Sequence, residues 1–238
     1  MEDESTFTMG RESLWEFIEE NHEAFIAAEK GEKWSKDEII AQANFRSIFR
    51  EYEEETRALR KSIPPNWEPQ LIVFNILLYR MFKQKKLCNK VEDSFRQKEQ
   101  IFQDLDGILN ACQGNTLEGM FNWFLTTYTS CYQIDLCSVY NIVCDFRWYT
   151  NLLWKATDKT SWASIGLDCR YGLHRLKMQP TRESLRHLYE LARQNCPSIS
   201  DHFANNKSDG VWPPFELCDM ERSVAEFEKY MRIYDEYN

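Results

Sequence analysis

The stretch Glu68-Pro-Gln-Leu71-Ile72-Val73-Phe74-Asn75-Ile76-Leu77-Leu78-Tyr79-Arg80-Met81-Phe82-Lys83-Gln84-Lys85-Lys86 is apolar on most sides of a helical wheel. It is too long for a buried strand, which runs about four to eight residues. A helix central to the core is the reading it supports. Ile63-Pro64-Pro65 stands just before it and ends whatever precedes, because proline cannot continue a helix and restricts the residue ahead of it.

Outward from this segment the pattern stays helical. Toward the N-terminus, Ser13 to Gly31 carries Leu14, Phe17, Ile18, Phe25 and Ile26 on one side, with Gly31 as its stop. Ser35 with Glu38 reads as a capping box opening a second helix, Lys36 to about Lys61, with Ile39, Ile40, Phe45, Ile48, Phe49 and Tyr52 at helical spacing. Toward the C-terminus, the spacing predicts helices over 91–112, from Thr116 through the following apolar run, over 136–154, from Thr181 to Asn195, and from Cys218 to Tyr237. Gln113-Gly114-Asn115 is a turn, Gly166 to Gly172 a glycine-bounded one, and 196–217 irregular. The 238 residues hold only 8 Gly and 7 Pro, which disfavours a sandwich or barrel. The expectation is an all-α fold in one domain over 1–238, with residues 1–12 a flexible acidic tail.

Composition narrows the function classes. No apolar run approaches the roughly 20 residues that a membrane span needs, and Met1-Glu-Asp-Glu-Ser5 lacks a basic-then-apolar start. The expectation is an intracellular protein: nuclear in a eukaryote, in the host cytoplasm for a virus or bacterium. Eight cysteines form no C-x-x-C pair and only four His are present, so neither a metal site nor a cofactor is expected. The cysteines read as buried, reduced thiols. Glycine-rich phosphate loops, G-x-S-x-G and H-E-x-x-H are all missing. The net charge of −9 is uneven: residues 57–98 carry net +7 and 146–194 net +5, with acidic blocks around them. Two basic blocks can form one phosphate-binding patch, or they can be solvated helix faces.

Asp145 is the unusual carboxylate, set among Ile142, Val143, Cys144, Phe146 and Trp148. A charge there is costly unless paired, so it is an ion-pair partner, a water-facing residue or a site group with a tuned pKa. Arg50 and Arg80 also interrupt apolar helices, and long arginines can snorkel to water. Glu226 and Lys229, three apart, fit a surface helix pair equally well.

Five ordered segments resemble one family, the alpha-glutamyl/putrescinyl thymine pyrophosphorylases of DNA thymine hypermodification, found in phage and some eukaryotic systems. Lys33-Trp34-Ser-Lys-Asp37-Glu-Ile-Ile40 is similar to the family's "pWt-Dpil". Phe45-Arg-Ser-Ile-Phe49-Arg50-Glu51, running on to Thr56, is similar to "FtNvyRelD..T". Phe74-Asn75-Ile-Leu-Leu-Tyr-Arg80-Met-Phe82 is similar to "NillyRlF". Tyr140 to Thr150, with Trp162 and Gly166-Leu-Asp-Cys-Arg170-Tyr-Gly172-Leu173, is similar to "yeivsDLryT…w…GPGarrGL". Asp219-Met-Glu221-Arg-Ser223 with Glu226-Phe-Glu-Lys229-Tyr230 is similar to "dvehsLCEfdKY". The chain departs at Ser47 (Asn in the family), Glu53 (Asp), Leu167-Asp168 (Pro-Gly) and Ala225 (Cys), and the family's N-terminal Glu-Arg is weak at Glu20-Asn21.

The resemblance implies a helical domain related to the helix-hairpin-helix DNA glycosylases. It also implies an enzyme, a transferase that displaces pyrophosphate from 5-(pyrophosphoryloxymethyl)uracil in DNA with an amine or amino acid. The helical part of the 5-hydroxymethyluracil DNA kinases is related, but the missing phosphate loop disfavours a kinase role. In the implied site a flipped base is presented for chemistry. Arg50, Arg80 and Arg170 would hold pyrophosphate, with Arg147 and Lys177 joining them on pyrophosphate and DNA. Trp148 or Tyr149 would stack on the base, Asp145 would accept the proton of the attacking amine, and Glu226 and Lys229 would lie near the donor. Expected partners are therefore DNA and a small amine or amino acid, without a membrane. Base excision, or a non-catalytic DNA-binding module on the same scaffold, stand as alternatives.

Overall fold

The computed structural model describes residues 4–237 except 33, 34, 44, 65, 83–98, 128–133, 150, 151 and 200–213. Trp34, Cys88, Cys131, Thr150 and His202 lie outside the described residues, as does much of the first basic block. The described residues form an all-α fold. None of their helices is long and apolar enough to cross a membrane.

The elements are α1 (Glu4–Glu29), α2 (Glu38–Gln42), a 3-10 turn (Arg50–Tyr52), α3 (Glu54–Ser62), α4 (Pro69–Phe82), α5 (Glu99–Cys112), α6 (Leu117–Thr127), α7 (Leu136–Phe146), α8 (Leu167–Arg175), α9 (Arg182–Asn195) and α10 (Leu217–Tyr237). They divide into two compact units, where the sequence suggested one domain. The first comprises residues 1–53 and 163–238; the second is the continuous segment 54–162. Because the second unit is inserted between two halves of the first, no tail-like linker marks the division.

In the second unit α4 is the centre, as its sequence predicts. Ile72, Val73, Phe74, Ile76, Leu77 and Leu78 are each 1% exposed or less, and α4 packs against α5 and α7. Helix α6 packs on α7, with Phe124 beside Phe146. Its start is capped twice: Thr116 Oγ1 accepts the Gly119 N–H, and Asp158 accepts those of Leu117 and Glu118 at 2.8 and 2.9 Å.

In the first unit α10 is the spine, packed by α8, α9, α1 and α2. Its closest neighbour is α8. A Cβ at Gly172 would stand 2.5 Å from the Val224 carbonyl oxygen, so only glycine permits this approach. Phe17, Phe49, Phe215 and Phe227 fill the interior.

Five expectations change. Residues 4–12, expected as a flexible tail, belong to α1. The single helix over 36–61 is instead α2, the 3-10 turn and α3. Asp37, not Ser35, caps α2: its carboxylate accepts from Ile39 and Ile40, while Ser35 donates to Glu20. Asp37 stands directly before the first helical residue, two residues nearer than Ser35, where its carboxylate reaches the free N–H groups. Helix α7 ends at Phe146, not 154, because the chain turns back and the Leu153 N–H bonds to the Phe146 carbonyl. That turn buries Trp148, Tyr149, Leu152 and Leu153. Residues 167–172, expected as a glycine-bounded turn, instead open helix α8. Two local readings hold: Gly31 takes φ 74° just after α1, and Thr181 caps α9 through the Ser184 N–H.

Candidate functional site

Among the charged sequence candidates, Asp145, Arg80 and Arg147 lie in the second unit, and Arg50 belongs to a buried group in the first. In the second unit Asp145 sits near the end of α7 and Arg80 near the end of α4, at 2% and 3% exposure. Arg80 Nε donates to Asp145 Oδ2 at 2.7 Å and Nη2 to Oδ1 at 3.1 Å. The guanidinium also donates to Thr56 Oγ1 at 2.8 Å and to Glu55 Oε2 at 2.7 Å. Thr56 Oγ1 in turn donates to Asp145 Oδ1 at 3.2 Å. Both Asp145 oxygens are thus engaged, which is what a carboxylate buried among apolar side chains requires. The local sequence makes this possible: α4 and α7 are neighbours in the core, and Glu55-Thr56 opens α3 beside them.

Next to this pair Trp148 is 9% exposed and lies against two guanidiniums. Arg147, fully buried, stands 4.0 Å from its ring centroid and Arg60 5.2 Å. The Arg60 side chain reaches solvent, yet desolvation at the ring pushes its pKa below the usual arginine value, with Tyr149 and Asp145 opposing and Arg147 adding to the fall. Tyr149 is 6% exposed, and among the described residues its hydroxyl has no hydrogen-bond partner. Burial, then the charge of Asp145, pushes that phenol well above its ordinary pKa. Stacking on an extruded base would require these two rings to be uncovered.

In the first unit Arg50 opens the 3-10 turn, buried against the start of α10. Its guanidinium donates to Glu221 and, through Nε, to the Cys218 carbonyl at 3.0 Å, while its backbone N–H donates to Asp219 at 2.8 Å. The other Glu221 oxygen accepts the Gly166 N–H at the start of α8. Arg222, 3% exposed, pairs with Glu53 at 3.2 Å. Among the described residues its Nε and Nη1 find no acceptor. Desolvation, reinforced by neighbouring Arg50, lowers its pKa. The result is a buried polar seam in which two guanidiniums and three carboxylates neutralise one another only in part.

The remaining candidates lie at the surface of the first unit. Arg170 is exposed, its Nε 3.4 Å from the Ile165 carbonyl, and Lys177 is exposed at φ 56°. Glu226 accepts the Arg46 N–H at 3.3 Å, and Lys229 lies 4.7 Å from the Phe45 ring centroid. The structure therefore joins Asp145 to Arg80, and Arg147 to Trp148. Arg50, Arg170, Lys177, Glu226 and Lys229 belong to the other unit.

Sequence reasoning missed Glu55, Thr56 and Arg60 in the second unit and Glu53, Glu221 and Arg222 in the first. The signal for the last two was present. Asp219, Glu221, Arg222 and Ser223 occupy consecutive faces of α10, so a helix packed on several neighbours must bury some of them.

A family model described as "5-hmdU DNA kinase, helical domain" matches residues 8–134. That span holds Arg50, Glu55, Thr56 and Arg80 but stops short of α7 and Asp145. The match is to the kinase helical domain that the sequence resemblance placed among relatives, not to the pyrophosphorylases themselves. No curated protein and no solved structure matches the chain.

Proposed function

This chain belongs to the 5-hmdU DNA kinase helical-domain family, and from that premise we propose that it acts on hypermodified thymine in DNA, displacing pyrophosphate from 5-(pyrophosphoryloxymethyl)uracil with an amine or amino acid. The observation that carries the reading is the family match over residues 8–134, with the ordered segment resemblance continuing to Tyr230. In the proposed step the amine nitrogen bonds to the 5-methylene carbon as the carbon–oxygen bond to pyrophosphate breaks. The proton shed by nitrogen passes to a carboxylate, for which Asp145 is the candidate. Departing pyrophosphate needs cationic donors rather than a covalent catalyst. Arg80 and Arg147, both buried and in the same unit as Asp145, are the candidates there.

A second reading, a non-catalytic DNA-binding module, is favoured by one observation. Asp145 has both oxygens held by Arg80 and Thr56 at 2% exposure, the arrangement of a structural ion pair. One experiment separates the readings: incubation with pyrophosphorylated DNA and an amine pool, then nucleoside mass analysis. Aminated thymidine with pyrophosphate release supports displacement. Abasic sites identify excision, and retention of DNA without chemical change identifies the module.

A further inference from the structure

The side of α10 that meets α2 carries Tyr230, Tyr234 and Tyr237, one per turn, and they line a cleft of about 290 Å³ with Asp37 and Glu38. The volume lies at the lower end of small-molecule sites, enough for a headgroup and too small for a nucleotide. Tyr230 and Tyr234 stack at 6.3 Å, with 30° between their planes, which fixes two ring faces along one wall. Tyr234 and Tyr237 are 44% and 71% exposed.

The electrostatics of the cleft are one-sided. Asp37 is hydrogen-bonded by the Ile39 and Ile40 N–H groups and by Tyr230 Oη at 2.7 Å, but all three donors are neutral and leave its charge in place. Glu38 is exposed and, among the described residues, makes no ion pair. Among the described residues, no Lys, Arg or His lines the cleft. Aromatic faces and carboxylates converging on a headgroup-sized space are the chemistry that recognises an organic cation.

We propose that this cleft is a binding site for a small organic ammonium ion, held between the Tyr234 and Tyr237 rings and the Asp37 and Glu38 carboxylates. The site does not depend on the reaction proposed above, because binding is read without turnover.

Choline and its uncharged isostere 3,3-dimethylbutan-1-ol are the probes, titrated calorimetrically into the full chain. Choline should bind saturably in the millimolar range or tighter, and the isostere at least several-fold more weakly. Tyr234→Ala should weaken choline roughly two- to thirtyfold, the span expected for loss of one cation–π face. Tyr234→Phe, which keeps the ring, should retain binding, and Glu38→Gln should weaken it and reduce its salt dependence. Both positions are exposed, so circular dichroism should show an unchanged fold. Equal affinity for the isostere, unchanged choline affinity in Tyr234→Ala, or no saturable choline binding overturns the proposal.

Discussion

Arg80 grips Asp145 side-on, Nε to Oδ2 at 2.7 Å and Nη2 to Oδ1 at 3.1 Å, with both side chains at most 3% exposed. A pair this buried is held by geometry, since each charge has given up its hydration for the other. Removing one partner strands the second.

Asp145→Asn should therefore destabilise the chain by about 3 kcal/mol or more, the cost of a broken buried pair. Urea unfolding measures it. Replacing both partners by apolar residues, Asp145→Leu with Arg80→Met, should recover most of that loss. If the single variant still folds and binds DNA, the displacement reaction predicts that its turnover disappears; wild-type-like turnover removes Asp145 from the chemistry.

Gly172→Ala should lower stability by roughly 1–3 kcal/mol, because the added Cβ meets the Val224 backbone oxygen at 2.5 Å and Cγ1 at 2.7 Å. Backbone cannot swing aside as a side chain can, so α8 and α10 must separate. A fall in thermal midpoint without change in helix content would show it.

Asp158→Ala should cost about 1 kcal/mol by uncapping α6 at Leu117 and Glu118. Asp158→Asn keeps an acceptor and should lose less. Comparing the two by chemical unfolding separates capping from general charge.

Alkaline pH should weaken the fold. Burial pushes the Cys112 and Cys196 thiols up to about 12, from an ordinary 9.0. Burial also raises the phenols of Tyr149, Tyr189 and Tyr230 above their ordinary 10.0. The unfolded chain loses these protons first, so their contribution is intact below about pH 9 and declines as pH rises toward 12. The thermal midpoint should fall over that window. At pH 8 a thiol reagent should modify exposed Cys137 far faster than Cys112 or Cys196.

Arg170→Ala and Lys177→Ala should each weaken DNA binding across sequences and lower the salt slope by about one unit, if each contacts one phosphate. Both are exposed, so thermal stability should stay unchanged. Unaltered salt slopes in both variants would place the phosphate contacts elsewhere.

The sequence by itself determined the helices whose apolar residues recur at one period and whose ends carry a local signal. The buried face of α4, the Thr181 cap of α9 and the Gly31 stop of α1 are all written within a few residues of where they act. It also marked Asp145 as a costly charge, because an ionised carboxylate inside an apolar run demands a partner, and singled out Arg80 and Arg50 as cations within apolar runs. Only the tertiary structure decided who those partners are. Arg80 lies 65 residues from Asp145, and Glu221 lies 171 from Arg50. The same distance explains the broken helix at 36–61: Phe45 and Phe49 keep helical spacing, yet contacts with Phe17, Tyr230 and Phe215 bend the chain away from it. Local periodicity says which residues must be buried, while the partners that bury them are fixed by contacts no short window contains.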